Sequence, residues 1–592
     1  MGHTFHIPVL GLGYSIDTPL KVAQYGISSV ISIVDDELIE RMREYHTVDK
    51  RVFVPISKKE PGYRAKRITA YLNLVNQLVD EQFERLKNEP FEPGTDICRY
   101  FELLPDGSQL KQGYELMQDF PDYSRKHIFQ EILKQRLVKG NIDVNIMSKV
   151  DKMNFDNDGV YEGDENTDAL AALRGFVEST LTSSVILSAG MNPKLYSYLE
   201  TFSDFFPDAD GTFRKKVTLK VSDFRSAFIQ AKFLAKKGIW VSEFRIESGL
   251  NCGGHAFATE GVLLGPILEE FKQKRAEMVT ELFQLYDVAL KQKNIVCNTI
   301  PKQLLSAQGG IGTALENTFL REHYGLDATG WGSPFLLVPE VTNVDVDTLA
   351  RLTNASEEDF YISNASPLGI LFNNFKGSTI EQQRLERLQQ KRPGSPCTKK
   401  YLVTNTEFTE HPICVASREY QDLKINQLEL MQLPEDEYKK RFDDITEKIC
   451  LCEGLCSSVY IKDKIVKPKE NTAVAICPGP NLAYFSSVYT LDEMVKHIYG
   501  KIDLLYKIKR PHVFIKELNL YIDYLQADIQ AHIKDLTDKK LKHLNKFKEQ
   551  LQQGIVYYKQ LFEELPGQAS NLLKECIDDL IASENKLNST LI

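Results

Sequence analysis

No run in this 592-residue chain approaches the roughly 20 consecutive apolar residues of a bilayer-spanning helix, so no membrane span is expected. The first residues also lack a basic stretch followed by an apolar one, so no secretory signal is expected and a cytoplasmic location is. Positive charge is not in excess: 72 Lys and Arg stand against 82 Asp and Glu. The resulting formal charge of −10 and pI near 5.7 disfavour nucleic acid and anionic membrane as partners, because an acidic surface repels both. Ten cysteines are too dilute for a disulfide scaffold. There is no internal repeat of about 20 to 50 residues and no separate dinucleotide-binding unit.

What the chain does have is enough apolar material, 42% of residues, to bury a large core with elements to spare. Two glycine-bearing turns stand out, Ser306-Ala307-Gln308-Gly309-Gly310-Ile311-Gly312 and Thr329-Gly330-Trp331-Gly332-Ser333. Each follows a short stretch that reads as a buried strand. In a (β/α)8 barrel the loops after strands 7 and 8 bind a phosphate in this way, since glycine lets the backbone approach closely. Gly309, Gly310, Gly312 and Gly332 with Ser333 are therefore candidate phosphate binders, and two unrelated turns are the competing reading. Short apolar or β-branched runs supply the strands: Ile7 to Gly11, Ser28 to Val34, Ile142 to Met147, Val185 to Ser188, Val217 to Val221, Ile239 to Ile246, Gln303 to Ala307 and Ala328 to Ser333. Helical spacing of Phe224, Phe228, Ala231 and Leu234 predicts a helix between the fifth and sixth. Such alternation predicts a parallel sheet and an α/β fold, a (β/α)8 TIM barrel.

Several motifs fall in an order that resembles the nitronate monooxygenase (2-nitropropane dioxygenase) family of FMN-dependent TIM barrels, which is related to the flavin-dependent enoyl-ACP reductases. They are Ile7-Pro8-Val9-Leu10-Gly11-Leu12-Gly13, Val144-Asn145-Ile146-Met147, Leu187-Ser188-Ala189-Gly190, Leu219-Lys220-Val221-Ser222, Cys252-Gly253-Gly254-His255 and the two glycine turns. The match spans about residues 5 to 485. Ala365-Ser366-Pro367-Leu368-Gly369 and Cys450-Leu451-Cys452-Glu453-Gly454-Leu455 resemble further motifs of one monooxygenase subgroup. The first loop has Gly11-Leu12-Gly13 where the family more often has paired glycines and a methionine, and Ala256-Phe257-Ala258 follow His255. Both departures alter what sits beside a flavin.

The resemblance implies FMN, with NAD(P)H as co-substrate if the chain works as a reductase. It places Gly11, Gly13, Asn145, Lys220 and Gly254 at the cofactor with the glycine turns, and His255 as the catalytic residue. Asn145 at the end of strand 3 can hydrogen-bond the ring edge, and Lys220 at the end of strand 5 can place a cation near it. A surface lysine lying along a strand end is the competing reading for Lys220. An imidazole after paired glycines at a strand end suits proton abstraction from an acidic carbon. Three functions stay open: an oxidase of a nitronate-like or other acidic-carbon small molecule, an enoyl-thioester reductase, and a non-catalytic flavin-barrel scaffold.

The expected organisation is a barrel over 1–340 with a long insertion at about 48–140 between strands 2 and 3, a turn-rich cap over 341–490, and a helical region over 491–592. The C-terminal helices pack on the barrel or on a second subunit, which would make a homo-oligomer. Six of the ten cysteines fall between Cys397 and Cys477. Cys397, Cys414, Cys450 and Cys452 are candidate ligands of a structural metal, against the reading of buried free thiols.

Overall fold

The structure is a computed structural model that describes residues 2–591 apart from 48, 50, 157, 189, 209, 534, 535 and 565–569. Ala189 of the Leu187 to Gly190 motif and Val48 at the start of the insertion lie outside the described residues. Eight strands close a barrel in sequence order: β1 (Phe5–Ile7), β2 (Ser28–Ser32), β3 (Ile142–Met147), β4 (Ser184–Ser188), β5 (Lys216–Val221), β6 (Val241–Glu247), β7 (Leu304–Gln308) and β8 (Ala328–Gly330). Every neighbouring pair is parallel, and β1 pairs with both β2 and β8. All eight expected strands are present. They read as short apolar or β-branched runs, with polar residues such as Asp143, Asn145, Glu243 and Arg245 interleaved in β3 and β6.

Parallel pairing sets the level of each residue. Glu247 is in register with Gln308, Gln308 with Gly330, and His6 with Gly330. Gly330 has to be glycine here, because a Cβ would stand 2.7 Å from the Gln308 Cβ and 2.9 Å from His6 Nε2. Without that side chain, His6 reaches across β8 to Gln308 Oε1 at 3.4 Å.

The helix between β5 and β6 is Phe224–Ala235, started by Asp223, whose carboxylate accepts the Ser226 N–H. The long insertion is helical, dominated by Tyr63–Asn88, which packs on Asp36–His46 and Asp168–Val177. Its contact with the barrel is ionic as well as apolar. Arg64 Nη1 and Arg67 Nη1 grip the two oxygens of Asp36 at 2.8 and 2.9 Å, with all three side chains buried.

The segment after the barrel carries more regular structure than its turn-rich composition predicts. Helices Val346–Thr353, Thr379–Gln389, Arg418–Leu430, Glu435–Thr446 and Leu451–Lys462 surround an antiparallel pair, β9 (Phe360–Ser363) and β10 (Phe372–Phe375). Beyond it, Leu491–Ile498, Val513–His532, Asp538–Glu564 and Ser570–Asn588 form the expected helical region. These helices pack on the barrel of the same chain: Glu517 accepts the Leu264 N–H at 2.8 Å, and the Tyr558 hydroxyl accepts the Gly265 N–H at 3.2 Å. Among the described residues no helix is long and apolar enough to cross a membrane.

Asp36→Ala would leave Arg67 without its carboxylate partner and Arg64 with a weaker set. The expected outcome is a loss of about 3 kcal/mol in chemical unfolding, the scale for breaking a buried ion pair by removing one partner. A loss under about 1 kcal/mol would show that the insertion is held by apolar packing alone.

Candidate functional site

One cavity opens at the C-terminal ends of the strands. It contains about 1440 Å³ of space free of protein atoms, solvent at its mouth included. Gly11, Asn145, Lys220, Gly254, His255, Gly309, Gly310, Gly332 and Ser333 all line it. Nine of the eleven residues expected at the cofactor or reaction centre are thus brought together.

Gly13 and Gly312 are not among its lining residues. The Gly13 N–H donates to the Leu455 carbonyl at 3.0 Å, and a Cβ there would meet Val459 at 2.8 Å. Its smallness serves the approach of the helix Leu451–Lys462. Gly312 gives its N–H to Glu316 Oε2 at 2.8 Å, and its Cα faces the Arg510 guanidinium. In both cases glycine makes room for protein, not for a ligand.

The remaining part of the β7 turn has the conformation an anion site needs. Gly309 and Gly310 have φ of 106° and 78°, values that favour glycine. Among the described residues, the N–H groups of Gly309, Gly310 and Ile311 have no acceptor. Beside them is Asn251, 1% exposed, with neither amide atom hydrogen-bonded. A Cβ at Gly310 would run into that amide. Unsatisfied buried donors around a glycine turn fit a phosphate, which accepts several hydrogen bonds at once. Across the gap, Ser333 Oγ accepts the Gly479 N–H at 2.7 Å, which leaves its own proton to donate.

The charged wall of the cavity is a hydrogen-bonded row. Gln308 Nε2 donates to Glu247 Oε1 at 2.6 Å, and Glu247 Oε2 pairs with Lys220 Nζ at 2.6 Å. Burial alone would lower the Lys220 pKa. The Glu247 carboxylate more than offsets this and holds it above the ordinary lysine value, so the ammonium persists. Lys220 is therefore a paired, half-buried cation of the cavity rather than a solvated lysine. Deeper in the barrel, Arg245 pairs with Glu243 at 2.9 Å and approaches Asp143 at 3.7 Å, a layer closed off by Ser306.

His255 stands where the cap meets the barrel. It forms an antiparallel bridge to Phe372 of β10, and its Nε2 lies 2.7 Å from Ser366 Oγ. Gly254 donates its N–H to the Cys477 carbonyl at 2.9 Å, and Asn373 donates to the Gly254 carbonyl at 2.9 Å. The Gly-Gly-His turn is thus clamped by cap residues on both sides. Desolvation, with the nearby Lys220 charge adding to it, lowers the His255 pKa to about 4, so the ring is neutral at physiological pH.

Glu247, Gln308, Asn251 and Ser366 are functional candidates that sequence reasoning did not single out. A carboxylate at the C-terminal end of β6, the end at which a barrel gathers its site, is a usable signal for Glu247. Asn251 has none, since its lack of partners exists only in three dimensions.

The four-thiolate metal site is not formed. Among the described residues, no group of three or more His, Cys, Asp or Glu is placed to hold a metal ion. All four are free thiols, Cys414, Cys450 and Cys452 buried and Cys397 partly so. The neighbouring Cys414 thiol brings Cys397 down to about 7, and the neighbouring Cys452 thiol lowers Cys450.

No protein-family model and no curated protein matches the chain. It is similar to solved structures only distantly. Nitroalkane oxidase from Streptomyces ansochromogenes shares 10% identity over 84% of this chain and 94% of its own, with a TM-score of 0.35. The enoyl reductase domain of MlnA, from the macrolactin biosynthesis cluster of Bacillus amyloliquefaciens, shares 14% over 76% and 94%, with a TM-score of 0.32. A FabK mutant from Thermotoga maritima shares 12% over 68% and 84%, with a TM-score of 0.30. Likeness at this level decides no chemistry.

A histidine buried as the neutral ring makes stability depend on pH in a defined direction. Between about 4 and the unfolded value near 6.5 the unfolded chain binds more protons, so stability falls as pH drops through that window. His6, lowered to about 3 by burial, adds to the fall in the same sense. Ring-nitrogen NMR is expected to find His255 neutral at pH 5.5, and His255→Gln to flatten part of the acid loss. A His255 resonance titrating near 6.5 in the folded protein would contradict this burial.

Proposed function

We propose that the chain is an FMN-dependent oxidoreductase that oxidises a small nitronate-like or otherwise acidic-carbon substrate with oxygen. The observation that carries this reading is the shared cavity. Unpartnered donors of the β7 turn and Asn251 suit a phosphate, while Lys220 and His255 line the same space. Gly309, Gly310, Asn251 and Ser333 would hold the phosphate, and Asn145 and Lys220 the ring edge. Bound FMN would supply the redox capacity that these side chains lack.

Lys220 contributes a lasting positive charge in a low-dielectric space, where it can offset negative charge that builds up on reduction. His255 is held by Ser366 and acts as a neutral ring. The tautomer with Nε2–H toward Ser366 leaves the Nδ1 lone pair to take a proton; the other presents Nδ1–H as a donor. A ring with a pKa of about 4 is a weak base at neutral pH, so the arrangement favours a substrate that arrives already ionised. His255 then orients the anion by donating a hydrogen bond. β10 and the Cys477 segment hold the backbone of the turn from both sides, which fixes the direction of that contact.

Cofactor released by heat is expected to have the mass of FMN; FAD, or no flavin in fresh protein, would count against the reading. Under anaerobic conditions a preformed nitronate should bleach the flavin without nicotinamide. Bleaching by NADH or NADPH with enoyl-thioester turnover would replace this reading by the reductase one.

His255→Ala is expected to keep flavin bound while turnover of a preformed nitronate falls by about ten- to a hundredfold, the scale for a lost hydrogen bond to a charged group. Unchanged turnover at full flavin occupancy would remove His255 from the chemistry.

A further inference from the structure

We propose that Arg510, from the segment between the helices Leu491–Ile498 and Val513–His532, is the positioning residue that shapes the β7 turn into an anion cradle. The inference rests on the flavin reading above and adds to it what holds the cradle open.

Three consecutive carbonyls of the turn are drawn away by side chains from beyond the barrel. The Gly310 carbonyl accepts from Arg510 Nη2, the Ile311 carbonyl from Asn481 Nδ2 at 3.0 Å, and the Gly312 carbonyl from His497 Nε2 at 2.8 Å. His497 has only one tautomer that fits, because its Nδ1 accepts the Leu504 N–H at 3.2 Å. In a planar trans peptide the carbonyl of one residue and the N–H of the next point in opposite directions. Turning the Gly310 carbonyl toward Arg510 therefore turns the Ile311 N–H away from it, and Ile311 lines the cavity.

Arg510 is the centre of this arrangement. Its Nε donates to Asn481 Oδ1 at 2.7 Å, which fixes the amide that holds Ile311. Its Nη1 pairs with Glu316 Oε1 at 2.6 Å, with both side chains about 4% exposed or less. Glu316 in turn takes the N–H groups of Gly312 and Thr313, at 2.8 and 3.2 Å, and that of Val513 at 2.7 Å. Burial raises the Glu316 carboxyl, but the Arg510 charge more than offsets it and the group stays ionised.

A direct role for Arg510 as phosphate ligand does not fit. All three guanidinium nitrogens are engaged by protein, its charge is matched by Glu316, and it is not among the residues lining the cavity. Recognition then falls to backbone donors and Asn251, with Arg510 setting their direction from behind.

The test compares FMN with riboflavin, which lacks the phosphate, by flavin-fluorescence titration of full-length apoprotein. The variants are Arg510→Lys, which keeps the charge opposite Glu316, and Arg510→Met with Glu316→Gln, which removes both charges together. Both are expected to weaken FMN about tenfold or more, the scale of a lost charge-assisted contact, while riboflavin affinity changes less than about twofold. FMN and riboflavin weakening in parallel, or FMN affinity unchanged in Arg510→Lys, would overturn the positioning role while leaving the flavin reading in place. Wild-type protein that binds neither flavin would overturn the flavin reading and this inference with it.

Discussion

Closure of the sheet between β1 and β8 is the constraint on which the site depends. It requires a position on β8 with no side chain, because His6 must cross that strand to meet Gln308. Once closed, the register puts Gln308 and Glu247 side by side, and Lys220 on β5 meets Glu247 from the next strand. A polar row in the mouth of an apolar barrel is costly unless every member is paired. Here each member is paired through its neighbour, so the row is rigid and Lys220 keeps its charge. Slipping one strand by a residue would turn these side chains away from the cavity and leave a buried ammonium alone.

The barrel supplies the floor of the site, and later parts of the chain supply its walls. The segment around Cys477 and β10 clamps the Gly-Gly-His turn, while Asn481, His497 and Arg510 hold the β7 turn from behind. Residues 341 to 590 therefore do more than decorate a finished barrel. They take up the carbonyls of Gly310, Ile311 and Gly312 and both backbone polar groups of Gly254, and leave the N–H groups of Gly309, Gly310 and Ile311 without a protein acceptor among the described residues.

The strands were legible because burial on both faces writes a short apolar run, and the helix Phe224–Ala235 because its apolar stripe repeats at helical spacing. Gly11, Gly254, Gly309, Gly310, Gly332, Asn145, Lys220 and His255 were found at strand ends, where barrels gather their side chains. Gly13 and Gly312 show the limit of that inference. A glycine reports that something approaches the backbone closely; the sequence does not say whether it is a phosphate, the Leu455 carbonyl or a guanidinium. The helices of the cap were hidden for a related reason. Thr379–Gln389 has a narrow buried face, Ile380 and Glu381, while Leu451–Lys462 is buried all round and shows no stripe. Three of the clustered cysteines belong to one helix, Cys450 at the N-cap of Leu451–Lys462 and Cys452 and Cys456 within it, which brings thiols together without making them ligands.

The neutrality of His255 narrows the chemistry further than its position does. Desolvation by the cap and repulsion from Lys220 act in the same direction, so any contact that closes the site further also weakens the ring as a base. A site that meant to ionise a neutral carbon acid would put a carboxylate against the imidazole to support the charge it acquires. Glu247 could serve, but its two oxygens are committed to Gln308 and Lys220, and Ser366 is the partner His255 has. The same pairing explains why Lys220 remains charged beside a ring that does not. Positive charge is held on one side and a neutral hydrogen-bonding ring on the other, which is the ground on which we propose a substrate that brings its own negative charge.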